Sequence, residues 1–389
     1  MSGKRTAHAK PSRTRRTHPA RAAQATARVA PEVVCFGEIL WDFFEGSSRK
    51  SGARSDEPIA REFTRELGGA PANVATGLSR LGVSSAVVGG IGLDAFGEAL
   101  AHHLYDDGVS TRFLLRMPNR TGITFVTRDA QGEPSFLFYR HDTADVSVRP
   151  EQVTREMGRA AWVLVGSSTM MTPSLAAATE RFLTVAEEAG ARIVVDLNVR
   201  EHMWPSKAQM RAAVVQLVKR ASIVKGSFAD LVALTGRRDI LWLADNAPRA
   251  AWIVTQGAKG ASALGDHGFV ARPALKTKCV DATGAGDAFI AGALAVLIEA
   301  GATPGNAAWR DERVWGAALD AGHAMGAKAV SRVGSVTGLV ELGDVRAIVK
   351  GVKALPSREK ASAGAKAKAG AKAKAGANAK RVKATKRAK

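Results

Sequence analysis

The stretch Val280-Asp281-Ala282-Thr283-Gly284-Ala285-Gly286-Asp287-Ala288-Phe289 sets a glycine-rich turn directly before an apolar helix expected over 288–300. Backbone N–H groups at a helix start have no partner inside the helix, and the helix dipole favours negative charge there. Gly284 and Gly286 therefore let the backbone approach an anion without side chains in the way. A carboxylate beside such a cradle is repulsive unless it has work to do. Taking a proton from an attacking hydroxyl is the chemistry that suits Asp287. A loop closed by an N-cap aspartate is the alternative reading of these residues taken alone.

Other residues have types suited to a sugar or a nucleotide. Asp42 follows the first strand signal, and a carboxylate there can accept hydrogen bonds from paired hydroxyls. Gly68 and Gly69 precede a helix signal carrying Asn73, whose amide both donates and accepts. Asn198 and Arg200 follow a strand at Asp196 and can reach phosphate or sugar oxygens. Ser227 and Asp230 stand three apart at a helix opening. They suit either a capping box or an acid that holds Mg²⁺ through water. Thr255 and Gly257 close a further strand, where a hydroxyl and backbone can meet phosphates. No His/Cys cluster has metal-ligand spacing, no GxGxxG follows the first strand, and no GxxxxGK[ST] occurs, so hydride transfer and P-loop chemistry are unsupported.

The elements that must hold these residues alternate. Strand signals at 32–40, 84–88, 161–165, 192–196 and 251–255 are separated by helical signals at 71–81, 96–106, 173–189, 207–220 and 228–234, and a last helix is expected near 314–328. Short apolar strands between amphipathic helices imply an α/β chain, a mainly parallel sheet covered on both faces, with ligands beyond the strands' carboxyl ends. Two regions break the rhythm. Residues 43–67 read as irregular and charged, and 121–141 read as a hairpin turning at 129–132. A projecting β-sheet lid made from about 43–67 and 118–142 is the expectation, and a lid excludes water.

The 389 residues carry a formal charge of +20 and 46% apolar content, which allows a sizeable core. That charge is unevenly placed. Residues 1–31 contribute +8 and residues 356–389 contribute +11, leaving +1 for 32–355. A basic N-terminal tail (1–31), a catalytic body (32–355) and a Lys/Ala-rich C-terminal tail (356–389) are the expected organisation, both tails being too poor in apolar residues to fold. The tails invite weak, non-specific polyanion binding, and with no aromatic interleaved they lack a base-stacking platform. Two cysteines, no apolar run long enough for a bilayer and no secretory pattern point to a reducing, cytoplasmic setting without membrane contact; an Arg-rich transit peptide is the lesser alternative.

Taken together, Gly68–Val74, Gly89-Gly90-Ile91-Gly92-Leu93-Asp94 and Asp281–Phe289 resemble the two signatures of the PfkB, or ribokinase-like, family of carbohydrate kinases. The form Gly-Gly-Ala-Pro-Ala-Asn with Phe138-Tyr139-Arg140 is most similar to fructokinases. The resemblance implies a three-layer α/β/α sandwich with a β lid, and ATP-dependent phosphorylation of a sugar's primary hydroxyl, fructose to fructose 6-phosphate. It implies Asp287 as general base and Gly284, Ala285 and Gly286 as the anion hole for the transferring phosphoryl group. Asp42, Gly68, Gly69, Asn73, Tyr139, Arg140, Asn198 and Arg200 would bind the sugar. Lys225, Ser227, Asp230, Thr255, Gly257, Gly260 and His323 would bind ATP with Mg²⁺. Asp281, Thr283, Ala329, Arg332 and Gly334 would frame a K⁺ site. Departures are Gly338, where some members have serine, and His323, where an asparagine often flanks adenine. An exposed lid edge suggests a homodimer. Other acceptors (2-keto-3-deoxygluconate, ribose, a nucleoside) and a non-catalytic scaffold tethered to nucleic acid by its tails are the rival readings.

Overall fold

Four consecutive buried residues, Val33–Phe36 (β1), alternate between two separate cores: Val33 and Cys35 face one, Val34 and Phe36 the other. That alternation is the two-faced burial expected of a central strand. The computed structural model describes residues 30–46, 62–128, 134–334 and 336. Residues 1–29 of the expected N-terminal tail, the whole expected C-terminal tail, the turn at 129–132 and Gly338 lie outside them.

Strand β1 sits in a nine-stranded sheet with β4 (Ser85–Gly92), β5 (Leu114–Met117), β8 (Trp162–Gly166), β9 (Arg192–Asp196), β10 (Ile223–Ser227), β11 (Ala251–Thr255), β12 (Ala261–Gly265) and β13 (Gly268–Arg272). The spatial order is β13-β12-β11-β10-β9-β8-β1-β4-β5. From β5 to β11 every pairing is parallel; β12 and β13 add an antiparallel edge. Helices α1 (Ala70–Arg80), α2 (Ala95–Asp106), α7 (Ala285–Glu299) and α8 (Glu312–Ala329) fill one face. Helices α3 (Pro173–Glu188), α4 (Lys207–Val218), α5 (Phe228–Thr235) and α6 (Leu241–Asn246) fill the other. The three-layer expectation holds.

Two expectations change. The first strand ends at Phe36 rather than Leu40. After Gly37–Ile39 the chain leaves the large sheet, and Leu40–Glu45 (β2) opens a second one. The region 43–67 is not irregular throughout, because β2 pairs antiparallel with β3 (Phe63–Gly68). Strands β6 (Ile123–Arg128) and β7 (Pro134–Tyr139) form the expected hairpin, and β6 lies parallel to β2, giving the order β3-β2-β6-β7. Charged Glu45, Glu62, Arg65 and Glu66 hide the strand pattern in the sequence. Helix α7 also starts earlier than the apolar run suggests, at Ala285, which places Asp287 inside its first turn.

Candidate active site

A cavity of about 430 Å³ opens between the carboxyl ends of the parallel strands and the smaller sheet. The turns after β1, β8 and β9 supply Glu38, Ser168, Asn198 and Arg200; the small sheet supplies Asp42, Thr124, Phe136 and Phe138; the N-terminus of α7 supplies Gly284, Gly286 and Asp287. Ligand crevices of open α/β sheets occupy this position because the helix starts and connecting turns converge there.

Asp287 stands at the centre. It is 8% exposed, and its Oδ2 accepts a hydrogen bond of 2.8 Å from Asn73 Nδ2. Burial pushes its carboxyl up from the ordinary range, while Asn73 and the charges of Lys225 and Arg200 pull part of the way back. A raised carboxyl is a better proton acceptor than a free aspartate. Gly284 caps α7 in the left-handed conformation at φ 74°, and the amide of Gly286 finds no acceptor among the described residues. The Ala285 amide is less available: it leans toward the Ala282 carbonyl at 3.3 Å.

Asn73 owes its place to the start of α1. Gly69 takes φ 95°, and a Cβ there would meet the Glu38 carbonyl oxygen at 2.3 Å. Only glycine fits so close an approach. Glu38 secures the same turn from the other side, accepting from the Ala70 amide at 3.4 Å and from Ser168 Oγ at 2.7 Å. Asp42 projects from β2 beside its cross-strand neighbour Thr124. Its carboxyl is pushed up to about 7, mainly by burial and then by the charge of Asp287, with Thr124 and Arg140 opposing. Gly68 ends β3 against Asp42, where a Cβ would lie 2.5 Å from the carboxylate.

Below the glycine turn, Lys225 Nζ contacts both Asp196 oxygens at 3.0 Å in a buried ion pair. Burial pushes Asp196 up to about 6 against the pull of Lys225. The Lys225 ammonium lies against Gly286, 2.7 Å from where a Cβ would be. Asn198 lines the cavity with a left-handed backbone, φ 34°, a conformation that costs free energy outside glycine.

Ser227 and Asp230 form the capping box of α5. Asp230 Oδ2 accepts from the Ser227 amide at 2.6 Å and its hydroxyl at 2.7 Å, and Oδ1 accepts from the Val199 amide at 2.7 Å. Asp230 thus ties the Asn198–Arg200 turn to α5. Ser227 pairs with Thr255 across β10 and β11, so both lie at the same sheet rim, next to the turn Gly257–Lys259 and Gly260. None of these four lines the cavity. His323 does not either: it is buried between α7 and α8, edge-on to Phe289, with Nε2 3.2 Å from the Arg272 carbonyl. Asp281 accepts from the Thr283 amide and hydroxyl and from the Gly334 amide, which brings three of the expected K⁺-site positions together. Ala329 and Arg332 lie in the adjoining turn, linked by a 3.4 Å backbone bond.

One sugar-site expectation fails. Tyr139 is 53% exposed and packs edge-on against Phe125; the alternation of β7 sends Phe136 and Phe138 to the cavity and Tyr139 to the opposite face. Arg140, next in the chain, does line the cavity. Sequence reasoning also passed over Glu38, Ser168, Thr124 and Asp196. An acid closing an apolar strand signal was the one available cue, and it marks Asp196, the last residue of β9.

Residues 30–341 match the pfkB family carbohydrate kinase. Fructokinase-1 of Zea mays is 34% identical over 329 residues, 82% of this chain and 97% of that protein. Among solved structures, a fructokinase of Vibrio cholerae in its fructose-, ADP- and calcium-bound form is 27% identical, with TM-score 0.70 over 82% of this chain and 99% of that one. An ATP-bound fructokinase of Xylella fastidiosa is 28% identical, also at TM-score 0.70, over 82% of this chain and 98% of its own. With a family match over most of its length and a cavity that gathers both signatures around Asp287, the chain belongs to the pfkB family of carbohydrate kinases.

Proposed function

We propose that the protein transfers the terminal phosphoryl group of ATP to a primary hydroxyl of fructose, giving fructose 6-phosphate. The observation that carries this reading is Asp287, buried at the mouth of a helix N-terminus and steered by Asn73. Asn73 holds Oδ2 and leaves Oδ1 for the acceptor hydroxyl. The hydroxyl oxygen attacks the terminal phosphorus as its proton passes to Asp287. A new O–P bond forms, the bond to the bridging oxygen breaks, and ADP leaves with that electron pair. Charge on the equatorial oxygens is met by the Gly286 amide and the helix dipole.

Asp42, Asn73 and Arg140 hold the sugar in this reading, and Phe136 and Phe138 cover it. Thr255, Gly257 and Gly260 lie along the rim suited to the nucleotide. Mg²⁺ is held chiefly by phosphates and water, since both Asp230 oxygens already accept backbone amides. Asp281, Thr283 and the turn 329–334 offer oxygen donors of the hard kind an alkali cation takes, and activity measured with and without K⁺ tests that site.

The similar fructokinases favour fructose, and so does the charge of the cavity. Glu38, Asp42 and Asp287 face it; of its cations, Arg140 and Lys225 are each paired with a further carboxylate, which leaves Arg200 at the exposed edge. Such a lining disfavours 2-keto-3-deoxygluconate, which carries its own negative charge. A screen of ADP release against fructose, ribose, 2-keto-3-deoxygluconate and adenosine tests the reading. Fructose is expected to give the highest kcat/KM. Asp287→Asn is expected to lower kcat by roughly 10²–10⁴ while ATP still binds; near-native turnover in that variant would remove the mechanism.

A further inference from the structure

Asp145 takes no part in the chemistry above, yet it is a wholly buried carboxylate one residue away from the cavity. Its Oδ2 accepts from Arg140 Nε at 2.7 Å, and its Oδ1 accepts from Thr143 Oγ1 at 2.6 Å. Arg140 itself has a side chain only 6% exposed and lines the cavity. Its Nη2 is buried and has no acceptor among the described residues. The guanidinium is therefore satisfied on one edge by the protein and left wanting an acceptor on another.

Charge decides what that acceptor is. A lone buried guanidinium is a full positive charge with a fork of donors, the residue type that captures carboxylates and phosphates. Paired with Asp145 it keeps its N–H directions but contributes no net charge. Glu38 and Asp42 then set the sign of the surrounding field. An uncharged polyol can hydrogen-bond to such a wall; an anionic sugar meets the carboxylates with only Arg200, at the exposed edge of the cavity, as a counter-charge.

Building on the reading of this cavity as the acceptor site, we propose that Asp145 is a positioning residue that sets selectivity: by neutralising Arg140 it admits neutral sugars and rejects sugar acids. It touches no substrate and acts through Arg140 alone.

Steady-state kinetics on the full-length chain with fructose, using D-gluconate as the competing probe, test this. In Asp145→Asn the unmasked guanidinium is expected to tighten gluconate inhibition by about tenfold, most strongly at low salt, while kcat/KM for fructose falls. Arg140→Gln is expected to move gluconate the other way and to raise KM for fructose. The double variant Arg140→Gln with Asp145→Asn removes both charges, leaves no unpaired ion in the core, and is expected to restore the native weakness toward gluconate. A merely structural role would weaken fructose and gluconate binding together in Asp145→Asn, and that result overturns the inference. If Asp145→Asn does not fold, the double variant decides: tightened gluconate inhibition there overturns it equally. Native protein inert toward fructose would instead remove the functional reading beneath it.

Discussion

Asn73 and Asp287 are 214 positions apart and meet at 2.8 Å, so the proposed proton acceptor is oriented by a residue distant in sequence but neighbouring in the fold. Asn73→Ala is therefore expected to lower kcat more than it raises KM for ATP, which initial-rate kinetics would separate. Asp42 makes a pH prediction. Its carboxyl sits near 7 in the folded protein, and only the ionised form accepts from two sugar hydroxyls. Thus kcat/KM for the sugar should fall as pH drops below about 7, approaching about tenfold per unit. An acid limb unchanged in Asp42→Asn would assign that titration to another group, Asp287 being the first candidate. At this scale the sequence was informative wherever glycine adjoined a polar side chain, as at Gly69 with Asn73 and Gly286 with Asp287. It was silent on Glu38 and Ser168, single polar residues in ordinary turns whose partner is found only through folding.

Helix α7 and strand β10 meet where Gly286 faces Lys225. A methyl group at Gly286 would lie 2.7 Å from the ammonium nitrogen, so Gly286→Ala must displace either the helix start or the Lys225–Asp196 pair. Activity is expected to drop at least about tenfold with a small change in Tm, because the helix interior stays packed and only its first turn moves. Element type was legible where burial is two-sided, as in β1 and β9, and where apolar spacing is helical. It was lost in β2 and β3. There one face meets solvent and ligand, charges interrupt the alternation, and a strand is defined by its neighbour rather than by its own residues. Tyr139 was misplaced for the same reason. Its type suits a sugar site, but the register of β7 fixes its side, and register is a property of the pair.

Across the whole molecule, acid acts in opposite senses on two buried groups. His267 is 2% exposed and stacks on Trp315 with ring centroids 4.1 Å apart. Among the described residues neither ring nitrogen has a partner of good geometry, although the nearby Ala263 backbone favours the proton slightly, and burial lowers the imidazole to about 4. The folded state then binds fewer protons than the unfolded chain between about 4 and 6.5, so stability is lost as pH falls through that window. Asp42 does the reverse. With its folded value raised, the native state holds the proton, and stability is lost as pH rises from about 4 to 7. Thermal melting of His267→Phe should show a gain that widens on acidification, and Asp42→Asn a shift in its favour on going from pH 4 to pH 7. Charge is global too. Because residues 32–355 carry only +1, a chain trimmed to 30–345 should keep its kcat and lose retention on a polyanion column.

Only Gly37, Glu38 and Ile39 separate a strand of the nine-stranded sheet from a strand of the small one. This short joint abuts Pro71 in the first turn of α1, the helix that carries Asn73. Grip on the acceptor and aim of the base are mechanically in series, with no slack between them. Without a sugar against the small sheet, Asn73 still holds Asp287, but no acceptor hydroxyl meets the carboxylate. Such an enzyme is expected to squander little nucleotide when idle: ATP consumption with no acceptor should run far below the fructose-driven rate, and slackening the joint by inserting residues after Ile39 should bring the two rates together.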